Sequence, residues 1–335
     1  MYDYLRALRA APDYQITLIG GDANSETQGR FFVDHFEAVP FPEPKEQEYI
    51  DRLLAICQKH KVQGVIPGSE GESRVISKYR QLFSQHQIQT SVGDYETVLL
   101  MTDKLRMLEF LRGKDIETGP FFEVNSGEDA AQMADKLGYP RHKVVLKPRS
   151  GAGSRGILIA DAHGSSYTPL LKNRLCGTGS LEVLLEQVKI ENTSLNNYYV
   201  MPYYGDIAYD IDCLSAHGKV TNVVPRRREY KNPLSPVNEG CQIELHPGII
   251  QYIGQLCKAF NVHGACDYDI ALSVDGAPRL LDASCRLSGS VGASFSAGVN
   301  FPAQLVRLLF NLPLHEYPVK DGTRLRPVNH IVQVI

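Results

Sequence analysis

Lys147 stands near the end of an apolar run, Val144-Val145-Leu146-Lys147-Pro148, and a glycine-rich loop follows: Arg149-Ser150-Gly151-Ala152-Gly153-Ser154-Arg155-Gly156. A second apolar run, Ile157-Leu158-Ile159-Ala160, comes next. The glycines fit G-x-G-x-x-G, but a dinucleotide-binding turn needs a helix after the loop. Here the loop leads into β-branched and apolar residues, then into polar Asp161-Ala162-His163-Gly164, the pattern of a second strand. A glycine loop between two strands is a flap. Its backbone N–H groups can lie over phosphates, and Lys147 sets a compact positive charge beside them. Taken alone, the segment reads equally well as a plain turn beside a lysine.

A second segment concentrates acids. Cys266-Asp267-Tyr268-Asp269-Ile270-Ala271-Leu272-Ser273 and Arg279-Leu280-Leu281-Asp282-Ala283-Ser284 read as two strands around Val274-Asp275-Gly276-Ala277-Pro278. Asp-Gly signals a two-residue hairpin turn. With Asp275 and Gly276 at its centre, Val274 pairs with Ala277, Asp269 falls opposite Asp282, and Asp267 falls opposite Ser284. Alternation then places Asp282, Ser284 and Arg286 on one face. Like charges facing each other across a ladder repel, so the pattern asks for a cation, and carboxylate oxygens suit Mg2+. A solvated outer face, or a one-residue bulge that spoils the register, would be the bland outcome.

These residues need elements to position them. Residues 1–93 carry apolar runs at Gln15 to Ile19, Gly64 to Pro67 and Gln89 to Val92, read as strands. Between them Ile50, Leu53, Leu54 and Cys57 have the spacing of a helix face. Alternating β and α elements predict a parallel sheet covered by helices. Residues 94–195 hold the flap in a small lobe. Residues 196–335 hold the acidic hairpin in an antiparallel sheet that closes the other side of a cleft.

Taken in order, the segments resemble the ATP-grasp superfamily, and within it a synthetase half of the carbamoyl phosphate synthetase large subunit. The likeness is carried by Gly64-Val65-Ile66-Pro67-Gly68-Ser69-Glu70, by Asp103-Lys104, by Lys147 to Gly156, by Tyr203-Tyr204-Gly205 with Tyr209-Asp210-Ile211-Asp212, and by Asp282-Ala283-Ser284-Cys285-Arg286. It implies an α/β and α+β architecture: an ATP-grasp fold with two lobes enclosing ATP and an N-terminal parallel-sheet domain of pre-ATP-grasp type. The first strand of that domain is missing here, because Met1-Tyr2-Asp3-Tyr4-Leu5 already reads as its first helix. The resemblance implies that Lys104 and Lys147 contact ATP phosphates while Ser150, Gly151, Gly153, Ser154 and Gly156 close over them. It places adenine against the hinge Val200-Met201-Pro202-Tyr203, and so against Met201 and Tyr203. Asp269 and Asp282, helped by Ser284, would hold Mg2+, with Mn2+ as a substitute. Arg286 and one of Arg226 and Arg228 would neutralise the transferring phosphoryl group. The activity implied is carboxylate–amine ligation through an acyl phosphate, with a small-molecule carboxylate and amine as partners and a homodimer allowed.

The departures are specific. Asp282 and Ser284 stand where the superfamily usually has Glu and Asn. The hinge has Val200 or Met201 in place of a glutamate, and the spacing after Gly205 is one residue longer. They keep two alternatives in view: a nucleotide binder that has lost turnover, and a kinase or carboxylating enzyme on the same scaffold.

Composition fits a cytoplasmic enzyme. The chain has 335 residues, 43% hydrophobic and 22% charged, enough for two or three domains. A net charge of -3 offers no general attraction to nucleic acid or acidic membranes, and Arg226-Arg227-Arg228 is too short a run for a nucleic-acid groove. Seven cysteines without C-x-x-C spacing read as reduced thiols. No apolar stretch is long enough to span a membrane. His263 stands alone, as structural histidines do.

Overall fold

A computed structural model describes residues 2–151, 155–171, 174–229 and 240–328. The chain begins with the helix Tyr2–Arg9. The strand expected at Gln15 to Ile19 instead runs Ile19–Asp22, parallel to His35–Ala38. The residues before Ile19 are held another way: the Leu18 N–H donates to the Asp34 carboxylate at 2.7 Å. A second parallel pair joins Gly64–Val65 and Gln89–Thr90. Between them the helix Glu46–His60 buries Tyr49, Ile50, Ile56 and Cys57; of the face the spacing predicts, Ile50 and Cys57 are buried while Leu53 and Leu54 are only partly so.

Glu70 owes its position to a capping box. Ser69 accepts from the Glu72 N–H at 3.2 Å, and the Glu72 carboxylate accepts from the Gly68 N–H and the Ser69 hydroxyl. The helix Glu70–Lys78 therefore starts at Glu70. Lys104 is fixed in the same manner at the start of Lys104–Arg112, where Asp103 accepts from the Arg106 N–H.

The lysine strand Val144–Pro148 and the hinge strand Tyr198–Pro202 lie side by side in a six-stranded sheet. Their antiparallel register sets Tyr199 against Lys147 and Met201 against Val145. A second six-stranded sheet carries the acids. It contains Pro278–Ser284, Gly264–Leu272, Ala208–Ala216, Lys219–Arg228, Cys241–Ile243 and Arg324–Leu325, in that order. Alternation gives this sheet two unlike faces. Cys266, Tyr268 and Ile270 point to the back with Tyr209, Ile211 and Cys213, and pack on Ile249, Ile253, Leu256 and Cys257 of the helix Pro247–Phe260. The polar residues between them are left on the front. All seven cysteines are buried free thiols. Among the described residues no helix is long and apolar enough to cross a membrane.

Candidate active site

The hairpin reaches the expected pairing by an unexpected route. Ser273 donates to the Ala277 carbonyl at 2.9 Å and Gly276 to the Ser273 carbonyl at 2.7 Å. The loop thus has three residues, Val274-Asp275-Gly276, with Gly276 at φ 79°, the left-handed position such loops reserve for glycine. Next to the loop the register is one residue off: Ile270 pairs with Leu280 and Leu272 with Pro278. A bulge at Leu281 absorbs the difference, so Asp269 does face Asp282 and Asp267 does face Ser284. The bulge also frees a backbone group, as bulges beside functional sites do. The Leu281 carbonyl accepts from Lys147 Nζ at 2.6 Å.

Two rows of polar residues cross the front of the sheet. Asp282, Asp269, Asp210 and Arg226 make one; Ser284, Asp267 and Asp212 make the next. Most charges are already matched. Lys104 Nζ lies 3.2 Å from Asp282 and donates to the Gly151 carbonyl at 2.7 Å. Arg228 reaches Asp269 at 2.9 Å and also holds Asp210. Arg286 donates to Asp267 at 3.1 Å. Arg226 is fully buried, and its two terminal nitrogens are engaged by Asp212, Ser288 and Ser290. Of the arginine pair implied for phosphoryl contact, Arg228 faces the carboxylate row, whereas Arg226 clamps the loop after Arg286.

A small, largely apolar pocket is lined by Val145, Lys147, Met201, Tyr203, Ala271 and Leu281. Hinge and hairpin therefore both contribute to its walls. The Tyr203 N–H is not free to read a base, because it donates to the Lys143 carbonyl at 3.0 Å. At the flap, Ser150 is exposed and Gly151 has φ 110°. Gly156 has φ 78°, and a Cβ there would lie 2.4 Å from the Tyr198 hydroxyl, so only glycine fits. Gly153 and Ser154 lie outside the described residues.

Burial and like charge set the electrostatics. Burial pushes the Lys147 ammonium down to about 8, against the pull of Asp282. Burial also opposes the charge of Lys104, yet Asp282 and Glu70 outweigh it and hold that lysine above its ordinary value. Burial lifts Asp269 to about 6; Arg228 opposes this, while Asp210 and Asp282 add to it. Burial likewise lifts Asp267 to about 8, despite Arg286. Both rises come first from burial, not from a lack of partner cations. Among the described residues no three Asp, Glu, His or Cys side chains converge as a complete metal cage. Mg2+ does not require one, since one or two carboxylates suffice when phosphates supply the other oxygens. The hard oxygen donors of Asp269 and Asp282 fit that ion.

Sequence reasoning passed over Glu70 as a site residue, the Asp210 and Asp212 partners, and the serines that hold Arg226. The Asp-x-Asp spacing of 210/212 and 267/269 was a usable signal. The strand pairing that merges the two motifs joins residues more than fifty positions apart, and nothing local specifies it.

Fold and site together define an ATP-grasp architecture, and comparison with known proteins agrees. Residues 194–331 match the family model described as "ATP-grasp in the biosynthetic pathway with Ter operon". The chain is 27% identical over 113 residues to the carbamoyl phosphate synthase large chain of Thermotoga petrophila, which is 33% of this chain and 10% of that enzyme. The chain thus spans about a tenth of the length of the curated relatives it matches. Among solved structures it resembles N5-carboxyaminoimidazole ribonucleotide synthetase in complex with ADP, at TM-score 0.69 and 13% identity, covering 95% of this chain and 76% of the other. It also resembles Campylobacter jejuni biotin carboxylase in complex with an ATP analogue, at TM-score 0.66 and 14% identity, covering 95% and 71%. The fold is the ATP-grasp fold, and the likeness to carbamoyl phosphate synthetase expected from the motifs is found.

Proposed function

We propose that this chain is a Mg2+-ATP-dependent ligase that activates a carboxylate as an acyl phosphate for attack by an amine or other nitrogen nucleophile. One observation carries the reading: an apolar pocket that has Lys147 in its wall, with the facing carboxylates Asp269 and Asp282 next along the hairpin that also lines it. The pocket would take adenine between Met201 and the hairpin. Lys147 and Lys104 would bind phosphates, and the flap from Ser150 to Gly156 would cover them and exclude water. Bound between Asp269 and Asp282, Mg2+ would supply charge neutralisation on phosphoryl oxygens. Arg228 and Arg286 would orient and neutralise the transferring group, since positioning and electrostatics are most of what such a transfer needs. The division into 1–93, 94–195 and 196–335, a cytoplasmic setting, and small-molecule carboxylate and amine partners belong to the same proposal.

The test is ADP release from Mg2+-ATP with pooled carboxylates and amines. ADP that appears only with both pools, and not in Asp282→Ala, supports the ligase. Release with a carboxylate alone and no amide product would point to a kinase. A second reading, a binder without turnover, is favoured by the pairing of both carboxylates with protein cations. Turnover absent from a protein that still binds ATP would establish it.

A further inference from the structure

His263 stands alone in the sequence but not in the fold. The strands Ala208–Ala216 and Lys219–Arg228 are joined by two residues, His217 and Gly218. Both have positive φ, 49° and 78°, the backbone of a tight hairpin turn. The Gly218 N–H donates to the Val262 carbonyl at 2.8 Å, which ties the turn to the residue before His263. The two imidazoles are thereby laid one over the other, with ring centroids 4.2 Å apart and planes 30° from each other.

The pair sits where residues 80–97 meet the acidic sheet. Thr97 donates to the Phe260 carbonyl at 3.3 Å. A Cβ on Gly264 would come within 3.2 Å of the Ser91 carbonyl, and one on Gly93 within 3.7 Å of the His263 carbonyl, so the two backbones run close together. Arg80 and Asp94, paired with each other at 2.8 Å, are the charged side chains that act on His263 from that side; His217 acts on it from the turn. These surroundings oppose a positive charge. The His263 Nδ1 is buried and finds no hydrogen-bond partner among the described residues. A charged imidazole donates from both nitrogens, so protonation would leave a buried donor unmet. Burial, the His217 ring and the Arg80 guanidinium hold His263 below the usual histidine range, and Asp94 opposes them only in part.

We infer that the stacked pair His217 and His263 is an acid-sensitive joint: it holds residues 80–97 against the acidic sheet while His263 is neutral and loosens when that ring is charged. An opened joint returns His263 to the ordinary range near about 6.5. Opening therefore takes up a proton and is favoured as pH falls below that value, by up to about tenfold per pH unit. The joint bears on the site because the same N-terminal region carries Glu70, whose charge helps to keep Lys104 protonated. It does not depend on the ligase reading. The test is amide hydrogen exchange of the full chain at pH 7.5 and 5.0, corrected for intrinsic rates. It is read at residues 88–97 and 216–219, with the helix Leu181–Ile190 of the other six-stranded sheet's layer as reference. Protection at the joint should fall by about tenfold at pH 5.0 while the reference helix keeps its own. His263→Phe keeps a ring in the stack that cannot charge, and should abolish the acid loss. His217 is exposed, so His217→Phe leaves the fold intact; it should raise the pH at which the His263 ring resonances titrate by NMR. Equal protection at both pH values, the same acid loss in His263→Phe, or a His263 midpoint unmoved by His217→Phe overturns the inference. A loss shared by the reference helix would be general acid unfolding and overturns it too.

Discussion

Lys147 shows how much one residue's surroundings decide. Its ammonium is 3% exposed, touches the bulged Leu281 carbonyl, and is pushed by burial to about 8. Phosphate beside it would favour the charged form and raise that value. Nucleotide affinity should therefore be level below pH 8 and decline above it, by up to about tenfold per pH unit, because binding then has to be accompanied by uptake of a proton. Calorimetric titration from pH 6.5 to 9.5 checks this, and Lys147→Ala should remove the pH dependence and weaken binding by about 1.5–3 kcal/mol. A flat profile in the unsubstituted protein would take Lys147 out of the phosphate site. Arg226 makes the contrasting case. The sequence places it in an arginine triplet as a candidate for phosphoryl contact, yet both it and Asp212 are wholly buried, and Ser294 also donates to Asp212. Arg226→Ala strands a buried carboxylate, which costs about 3–5 kcal/mol. Urea unfolding should show that loss. If stability hardly changes, the clamp on Ser288 and Ser290 is not what holds the loop.

At the scale of elements, the flap gives a sharp prediction. Gly156 combines a positive φ with a Tyr198 hydroxyl where a Cβ would go. Gly156→Ala should destabilise by about 1–3 kcal/mol. Tyr198→Phe in the same chain should recover the steric part and leave the backbone part, a coupling that a double-mutant cycle isolates. Additive effects would mean that the hydroxyl and the glycine do not meet. The flap and hairpin were legible in the sequence because glycine, lysine and alternating acids leave local signatures. The facing of Asp269 and Asp282 came out of a two-residue turn that the chain does not make. A longer loop shifts the register by one and the Leu281 bulge shifts it back, and no residue type announces a bulge in advance. The joining of Asp210 to Asp269, and the burial of Arg226, were not legible at all, because both follow from strand order across the sheet. The Ile19–Asp22 strand was misplaced for a local reason, since a side chain from Asp34 satisfies the backbone at Leu18.

Over the whole molecule, Lys104 is where the parts meet. Its helix begins at the flap root, where its own N–H donates to the Arg149 carbonyl at 2.8 Å. Its ammonium binds the Gly151 carbonyl of the flap and the Asp282 carboxylate of the hairpin, and Glu70 adds to its charge stabilisation from the N-terminal region. Without nucleotide, Asp282 is therefore neutralised by Lys104 and Asp269 by Arg228. A divalent cation arriving alone finds both carboxylates matched and must displace a protein cation to bind. A triphosphate changes that balance, because it offers Lys104 a competing anion and releases Asp282 to the metal. Lys104→Met removes the resident cation and nearly preserves the volume of the side chain. In nucleotide-free protein it should raise the affinity for Mn2+, used as the paramagnetic probe, by about tenfold, the effect of losing one close charge. Lys104→Arg, which keeps the charge, should not. Nucleotide binding should fall in Lys104→Met even as metal binding rises, because the same ammonium serves the phosphates. Free Mn2+ followed by electron paramagnetic resonance distinguishes the outcomes. Affinity in Lys104→Met that stays equal to or below that of the unsubstituted protein would show that the lysine does not stand in for the metal.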